Sequence, residues 1–255
     1  MIRVLSISNS FGVDGTTFLH QISTSFDTQI EVGTLFIGGC EISRHKRNIQ
    51  NNAADYEYYL NGTLKKVGAT ILEVLKPKDS EESPWDYIVF QQASGFSGIE
   101  SSFHPDLENL ISEIRKYNKH AIMALHETWS YAKDFDNTAY IPYQYSQTQM
   151  GQMIAITYSH VARDLNISLL IPSLKVIEKA RSIYGDTMNR DGYHLTEEAR
   201  YLVACCWALF LLKKEATKPL FTPTCSSLEG FEPLKKEKCH ELYEIARGVY
   251  RDING

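Results

Sequence analysis

The sequence predicts an α/β protein of three layers, with helices on both faces of a mostly parallel sheet. Three observations carry that prediction. Strand-length apolar runs such as RVLSIS and HAIMALHE alternate with longer helical patterns. Hydrophobic residues make up 43% of 255 positions, enough for a full-sized core in one unit of this class. The alternation stops after about residue 212, where a stretch rich in Pro, Ser and Thr begins. Right-handed crossovers between parallel strands place the intervening helices on both sides of the sheet.

Taken in order, RVLSIS is the first strand, followed by a Gly-containing turn and a helix from about Thr16 to Phe26. VGTLFIGG is a second strand that ends in two glycines. The Tyr-rich stretch between Asn52 and Leu64 reads as a helix, and GATILEVL as a strand at an edge or in an excursion from the sheet. SPWDYIVFQQ is a strand whose start is marked by Pro84 and Asp86. In PDLENLISEIRKYN, Leu107, Leu110, Ile111 and Ile114 recur at helical spacing. HAIMALHE is a buried-type strand, SQTQMGQMIAITYSHVARDL a helix and ISLLIP a short strand. Thr196 caps a further helix, with Glu197 and Glu198 at its positive end. Thr217 to Pro233 is an irregular arm leading to a last helix around Lys238 to Val249. One domain is expected over 1–255, a core at 1–214 with a C-terminal arm and helix at 215–255.

Charge excludes some functions. Lys and Arg total 26 against 31 acidic residues, a formal charge of -5, which argues against a nucleic-acid surface. The basic run RHKR is short and reads as a solvated face. The longest apolar run, YLVACCWALFLL, has 12 residues and falls short of the ~20 needed to span a bilayer, so no membrane insertion is expected. The opening MIRVLSISNSF has no cationic leader, so the expected location is cytoplasmic, or periplasmic or secreted where a leader has been removed. Five cysteines show neither metal spacing nor a disulfide framework, and nothing in the spacing favours a Cys225–Cys239 pair.

In an open parallel sheet the substrate crevice lies beyond the carboxyl ends of the strands. The residues at those ends are Asn9 and Ser10, Gly38, Gly39 and Cys40, Gln91, Gln92 and Ser94, and His126, Glu127 and Trp129, with Asp191 and His194 before the Thr196-capped helix. A serine hydroxyl needs a base within hydrogen-bond reach to act as a nucleophile. His194 is the candidate base for Ser10, and Asp191, three residues earlier, is placed to hold the other ring nitrogen in the right tautomer. An oxyanion needs donors, and the Ser10 N–H, an N–H of Gly38 or Gly39, and the Gln92 amide form a candidate trio. Each signal alone has a plainer reading: a serine after a strand is often a helix cap, and paired glycines are often a turn.

VLSISNSFG and DGYHL resemble the first and last blocks of the SGNH/GDSL hydrolase superfamily. FIGGCEISRH, YEYYLNG, WDYIVFQQASGFSG and HETWSYA are similar to its bacterial DUF4886-type branch, so the resemblance spans residues 2 to about 212. It implies a flavodoxin-like SGNH-hydrolase fold and a serine-dependent carboxylic ester hydrolase acting on small acyl groups of carbohydrates or related small molecules. It also implies Ser10 as nucleophile, Asp191 and His194 as its partners, Gly38 or Gly39 as an oxyanion donor, and no cofactor. The superfamily's first-block aspartate is replaced here by Asn9. Its third-block asparagine is missing, and Gln92, or less favourably Gln91, stands in the QQAS block that takes its place.

His126, Trp129 and Tyr131 are candidates for a pocket wall that stacks on a sugar; packing against the core is the equal alternative. Arg44 and His45 are candidates for polar substrate contacts, or for a surface salt bridge. HETW lacks the second histidine of a zinc site, and Gly12 and Gly15 do not make a phosphate cradle, so neither metal nor nucleotide is expected. Two other function classes stay open: a carbohydrate-binding or scaffolding protein without turnover, and a thiol-dependent enzyme using Cys40. The acyl group, the alcohol and the oligomeric state are not readable.

Overall fold

β1 (Ile2–Ser8) buries Val4, Leu5 and Ile7 completely, which suits it to the middle of a sheet covered on both faces. The computed structural model describes residues 1–76 and 85–255. Within them a seven-stranded sheet runs in the order β4-β3-β2-β1-β5-β6-β7. β1 pairs in parallel with β2 (Ile30–Phe36) on one side and β5 (Tyr87–Phe90) on the other. β6 (Ile122–Glu127) and β7 (Leu169–Pro172) continue the parallel part. The chain leaves β1 for β2 on one side and later resumes at β5 on the other. The end of β1 is therefore the topological switch point, where a crevice opens in this architecture.

One helical layer contains α1 (Ser10–Thr16), α2 (Leu19–Ser23), α7 (Ser173–Tyr184) and α8 (Glu197–Leu212); the other contains α3 (Ile42–Asn51), α4 (Ile71–Leu75), α5 (Asp106–Arg115) and α6 (Gln147–Asp164). Beyond its first turn α8 is apolar all round because it is covered all round: α1, α2, α7 and β7 contact it, and α9 (Lys236–Asn254) packs along it. α9 buries Leu242, Ile245, Ala246 and Val249, one stripe at helical spacing. The Thr196 hydroxyl accepts from the Ala199 N–H, as its position predicts. Among the described residues no helix is long and apolar enough to cross a membrane. All five cysteines are free, Cys225 being exposed and Cys239 buried.

Several local predictions need correction. The Tyr-rich stretch is an antiparallel hairpin of β3 (Tyr56–Leu60) and β4 (Thr63–Ala69), not a helix. Asn61 and Gly62 both have positive φ (52° and 77°), the demand of a tight hairpin turn that Asn-Gly meets well. GATILEVL is not a strand: β4 ends at Ala69, and the Thr70 side chain caps α4. The helix expected from Thr16 begins at Ser10, because Asn9 caps it, and breaks into α1, α2 and a short 3₁₀ turn. RHKR lies on α3, which points Arg44 and Arg47 outward and buries His45. Pro84 lies outside the described residues, and Asp86 accepts from the Arg3 N–H beside β1 (2.7 Å).

Candidate active site

Ser10 is the first residue of α1, immediately beyond the β1 end. The Asn9 side chain sets that start: its Oδ1 accepts from the Phe11 N–H (3.0 Å) and from Gln91 Nε2 (2.6 Å), and its Nδ2 donates to the Cys40 carbonyl (3.0 Å). An aspartate has no donor for that last bond, which is a physical reason for an amide here. Gly12 lets α1 sit close on the strand end, since a Cβ there would fall 2.3 Å from Ser8 Cβ.

The loop before α8 reaches back across this point. His194 Nε2 lies 2.9 Å from Ser10 Oγ, and His194 Nδ1 lies 2.7 Å from Asp191 Oδ2. Asp191 Oδ1 accepts from the N–H groups of His194 (2.8 Å) and Tyr193 (3.2 Å). A carboxylate only accepts, so Nδ1 carries the ring proton and the Nε2 lone pair faces the serine hydroxyl. Burial pushes the Asp191 carboxyl up, but the bonds it accepts from the His194 ring and from the two N–H groups outweigh this and hold it below its ordinary value. The loop is braced at several points. Trp129 Nε1 and Asn189 Nδ2 donate to the Tyr193 carbonyl, and the Ala132 N–H donates to the Gly192 carbonyl (2.7 Å). Gly192 has φ +93°, and a Cβ there would sit 2.1 Å from Phe135 Cδ2.

Ser10 and His194 lie in a cleft of about 810 Å³, with Phe36, Phe96, Tyr131, Phe135 and Tyr193 among its walls. Gly38 and Gly39 line it too, and among the described residues no Lys, Arg, Asp or Glu does. The N–H groups of Ser10, Gly38 and Gly39 have no hydrogen-bond partner among the described residues. A second cleft of about 510 Å³ lies against the other side of α1, and no histidine lines it.

The family model for the domain of unknown function DUF4886 matches residues 3–233. The chain belongs to the DUF4886 family. It is similar to the crystal structure of a DUF4886 family protein from Bacteroides uniformis, with 35% identity over 98% of this chain and 96% of that one and a TM-score of 0.84. More distantly it is similar to a member of the lipolytic G-D-S-L family from Veillonella parvula (13% identity, 83% and 98% covered, TM-score 0.53). A catalytic mutant of an acetylxylan esterase from Geobacillus stearothermophilus is similar too (11% identity, 81% and 92% covered, TM-score 0.53). These distant likenesses relate the DUF4886 fold to that of SGNH/GDSL hydrolases. No curated protein matches.

Six residues expected at the site of this family member lie elsewhere. Gln92 turns away: its Oε1 accepts from the Ile42 and Ala93 N–H groups, and its Nε2 donates to Ser102, so its amide is already spent. Gln91 lies under the floor, bonded to Asn9 and to His126 Nδ1 (2.7 Å). His126 is sealed between Gln91 and Ser173. Trp129 is fully buried and stacks on Phe11 at 4.2 Å, so it supports the floor and offers no face to a sugar. Arg44 pairs with Asp55 at the surface, and His45 is buried against Tyr56; neither lines the cleft.

Tyr131 does line the cleft, with its hydroxyl 2.8 Å from Ser94 Oγ. Ser94 is the polar residue of QQAS that reaches the cleft; the two glutamines are drawn inward by partners that only the fold supplies. Phe135 and Tyr193 were missed as walls, although Tyr193 sits beside His194 in the sequence. Cys40 does not line the cleft, and burial pushes its thiol up to about 12, which removes the thiolate that a Cys40 enzyme needs.

Proposed function

We propose that the protein is a serine-dependent ester hydrolase that removes small acyl groups from carbohydrate or related uncharged esters. One observation carries the reading: the Asp191–His194–Ser10 hydrogen-bonded chain opens into the cleft at the switch point of the sheet. The likeness to an acetylxylan esterase and the uncharged cleft walls support the substrate class. Asp191 fixes the ring, His194 takes the Ser10 proton as Oγ attacks the acyl carbon, and the same imidazole protonates the departing alcohol. Water activated by His194 then releases the acyl group. With Gln92 and Gln91 occupied elsewhere, the negative oxygen is left to the backbone N–H of Ser10 and that of Gly38 or Gly39. One donor fewer costs about 3 kcal/mol of transition-state stabilisation, so turnover slower than with three donors is expected. No cofactor takes part in these steps.

The spent Gln92 amide favours one competing reading, a carbohydrate-binding protein that keeps the fold without turnover. Short-chain aryl esters separate the two. The hydrolase reading expects turnover that Ser10→Ala abolishes, whereas sugar binding unaffected by Ser10→Ala, without turnover by either form, establishes the alternative.

A further inference from the structure

A carboxylate with a side chain only 1% exposed lies one helical turn beyond Ser10 and belongs to neither the proposed chemistry nor the cleft wall. Asp14 Oδ2 accepts from the Leu195 N–H (2.8 Å), and its Oδ1 accepts from Arg200 Nε (2.7 Å) and lies 3.4 Å from Arg190 Nη1. Arg190 also grips the loop directly: its N–H donates to the His194 carbonyl (2.9 Å) and its guanidinium to the Leu195 carbonyl. Residues four apart on a helix share a face. α1 therefore offers two successive rungs to two successive loop residues, Ser10 to the His194 ring and Asp14 to the Leu195 backbone.

We infer that Asp14 is a positioning residue that sets the Ser10–His194 distance by clamping the loop onto α1; the inference rests on the hydrolase reading above. An ordinary buried ion pair between α1 and α8 needs only Arg200. Here two further partners, Arg190 and the Leu195 N–H, belong to the segment that flanks His194. The Asp191–His194 contact is internal to the loop and survives without Asp14. What Asp14 adds is the registration of that finished pair against the nucleophile. Arg200 carries the connection outward through Ser227 Oγ (3.2 Å), whose residue is also held by Glu197.

The test compares kcat, KM and the rate of phosphonate labelling for the wild type, Asp14→Asn, Arg190→Gln and Leu110→Ala, each per folded molecule. Asp14→Asn keeps the shape but loses the charge, and about 100-fold loss of kcat with unchanged KM is expected, the penalty for misplacing a catalytic group by about 1 Å. Labelling slows in parallel. Arg190 is partly exposed, so its variant folds even if Asp14→Asn does not, and a smaller loss of kcat of the same kind is expected. Leu110→Ala in α5, on the opposite face of the sheet, lowers stability and leaves kcat alone. Wild-type kcat and labelling in both Asp14→Asn and Arg190→Gln overturn the clamp. A wild type that neither turns over nor labels overturns the hydrolase reading itself.

Discussion

Two histidines in this protein sit between a serine hydroxyl and a side-chain oxygen at the same spacings. His194 lies 2.9 Å from Ser10 Oγ and 2.7 Å from Asp191 Oδ2; His126 lies 2.9 Å from Ser173 Oγ and 2.7 Å from Gln91 Oε1. Distance does not distinguish them. Access and charge do. His126 is sealed in the core, its partner is a neutral amide, and burial holds it down to about 3, so it cannot become an imidazolium at neutral pH. His194 opens to a cleft, and its partner is a carboxylate held in the charged form. A base must carry a proton transiently, and only the second setting compensates that charge. The buried array is a hydrogen-bonded strut between β5, β6 and α7.

The two histidine settings differ most in what depends on their serines. Ser10→Ala is expected to lower kcat on aryl esters by roughly 10⁵–10⁶-fold, measured by steady-state kinetics. Asp191→Asn keeps the shape but removes the charge that orders the tautomer, and a loss of about 10⁴-fold is expected.

Acid tests the buried side. His126 and His45 are both held from 6.5 down to about 3, the cause in each being burial, with the Arg44 charge adding to it at His45. Between those values the unfolded chain binds protons that the folded one refuses. The stability these groups contribute is therefore fully present above pH 6.5 and lost as pH falls toward 3. Urea midpoints at pH 7 and pH 5 are expected to drop by the equivalent of roughly 2–4 kcal/mol for the pair, at about 1.4 kcal/mol per unit and group, and His126→Gln flattens the slope. The smallest effect belongs to Ser173→Ala: about 1–3 kcal/mol less stability, from a buried ring nitrogen left without its partner, and unchanged kcat.

The sequence made the parallel core legible, because strands buried on both faces read as unbroken apolar runs at YIVF and IMALH. Ser10, Asp191 and His194 were legible for a related reason: each falls where a local pattern ends, at a strand terminus or ahead of a capped helix. The β3–β4 hairpin was hidden by its tyrosines, since a half-exposed edge lacks a clean alternation and only Asn61-Gly62 announced the turn. Gln91 and Gln92 were misplaced because side-chain amides follow their partners. Asn9 and the Ile42 N–H, which help draw them inward, come from distant segments. Asp14 gave no signal at all; its meaning depends on a loop 181 positions away.

The proposed hydrolase chemistry requires that Ser10, and no other serine, is activated. Incubation with a serine-directed phosphonate followed by peptide mass spectrometry tests it most directly. A single adduct on Ser10, absent from a His194→Ala variant, is the expected result. An intact Ser10 at saturating reagent, or an adduct on Ser173 in its place, contradicts the account.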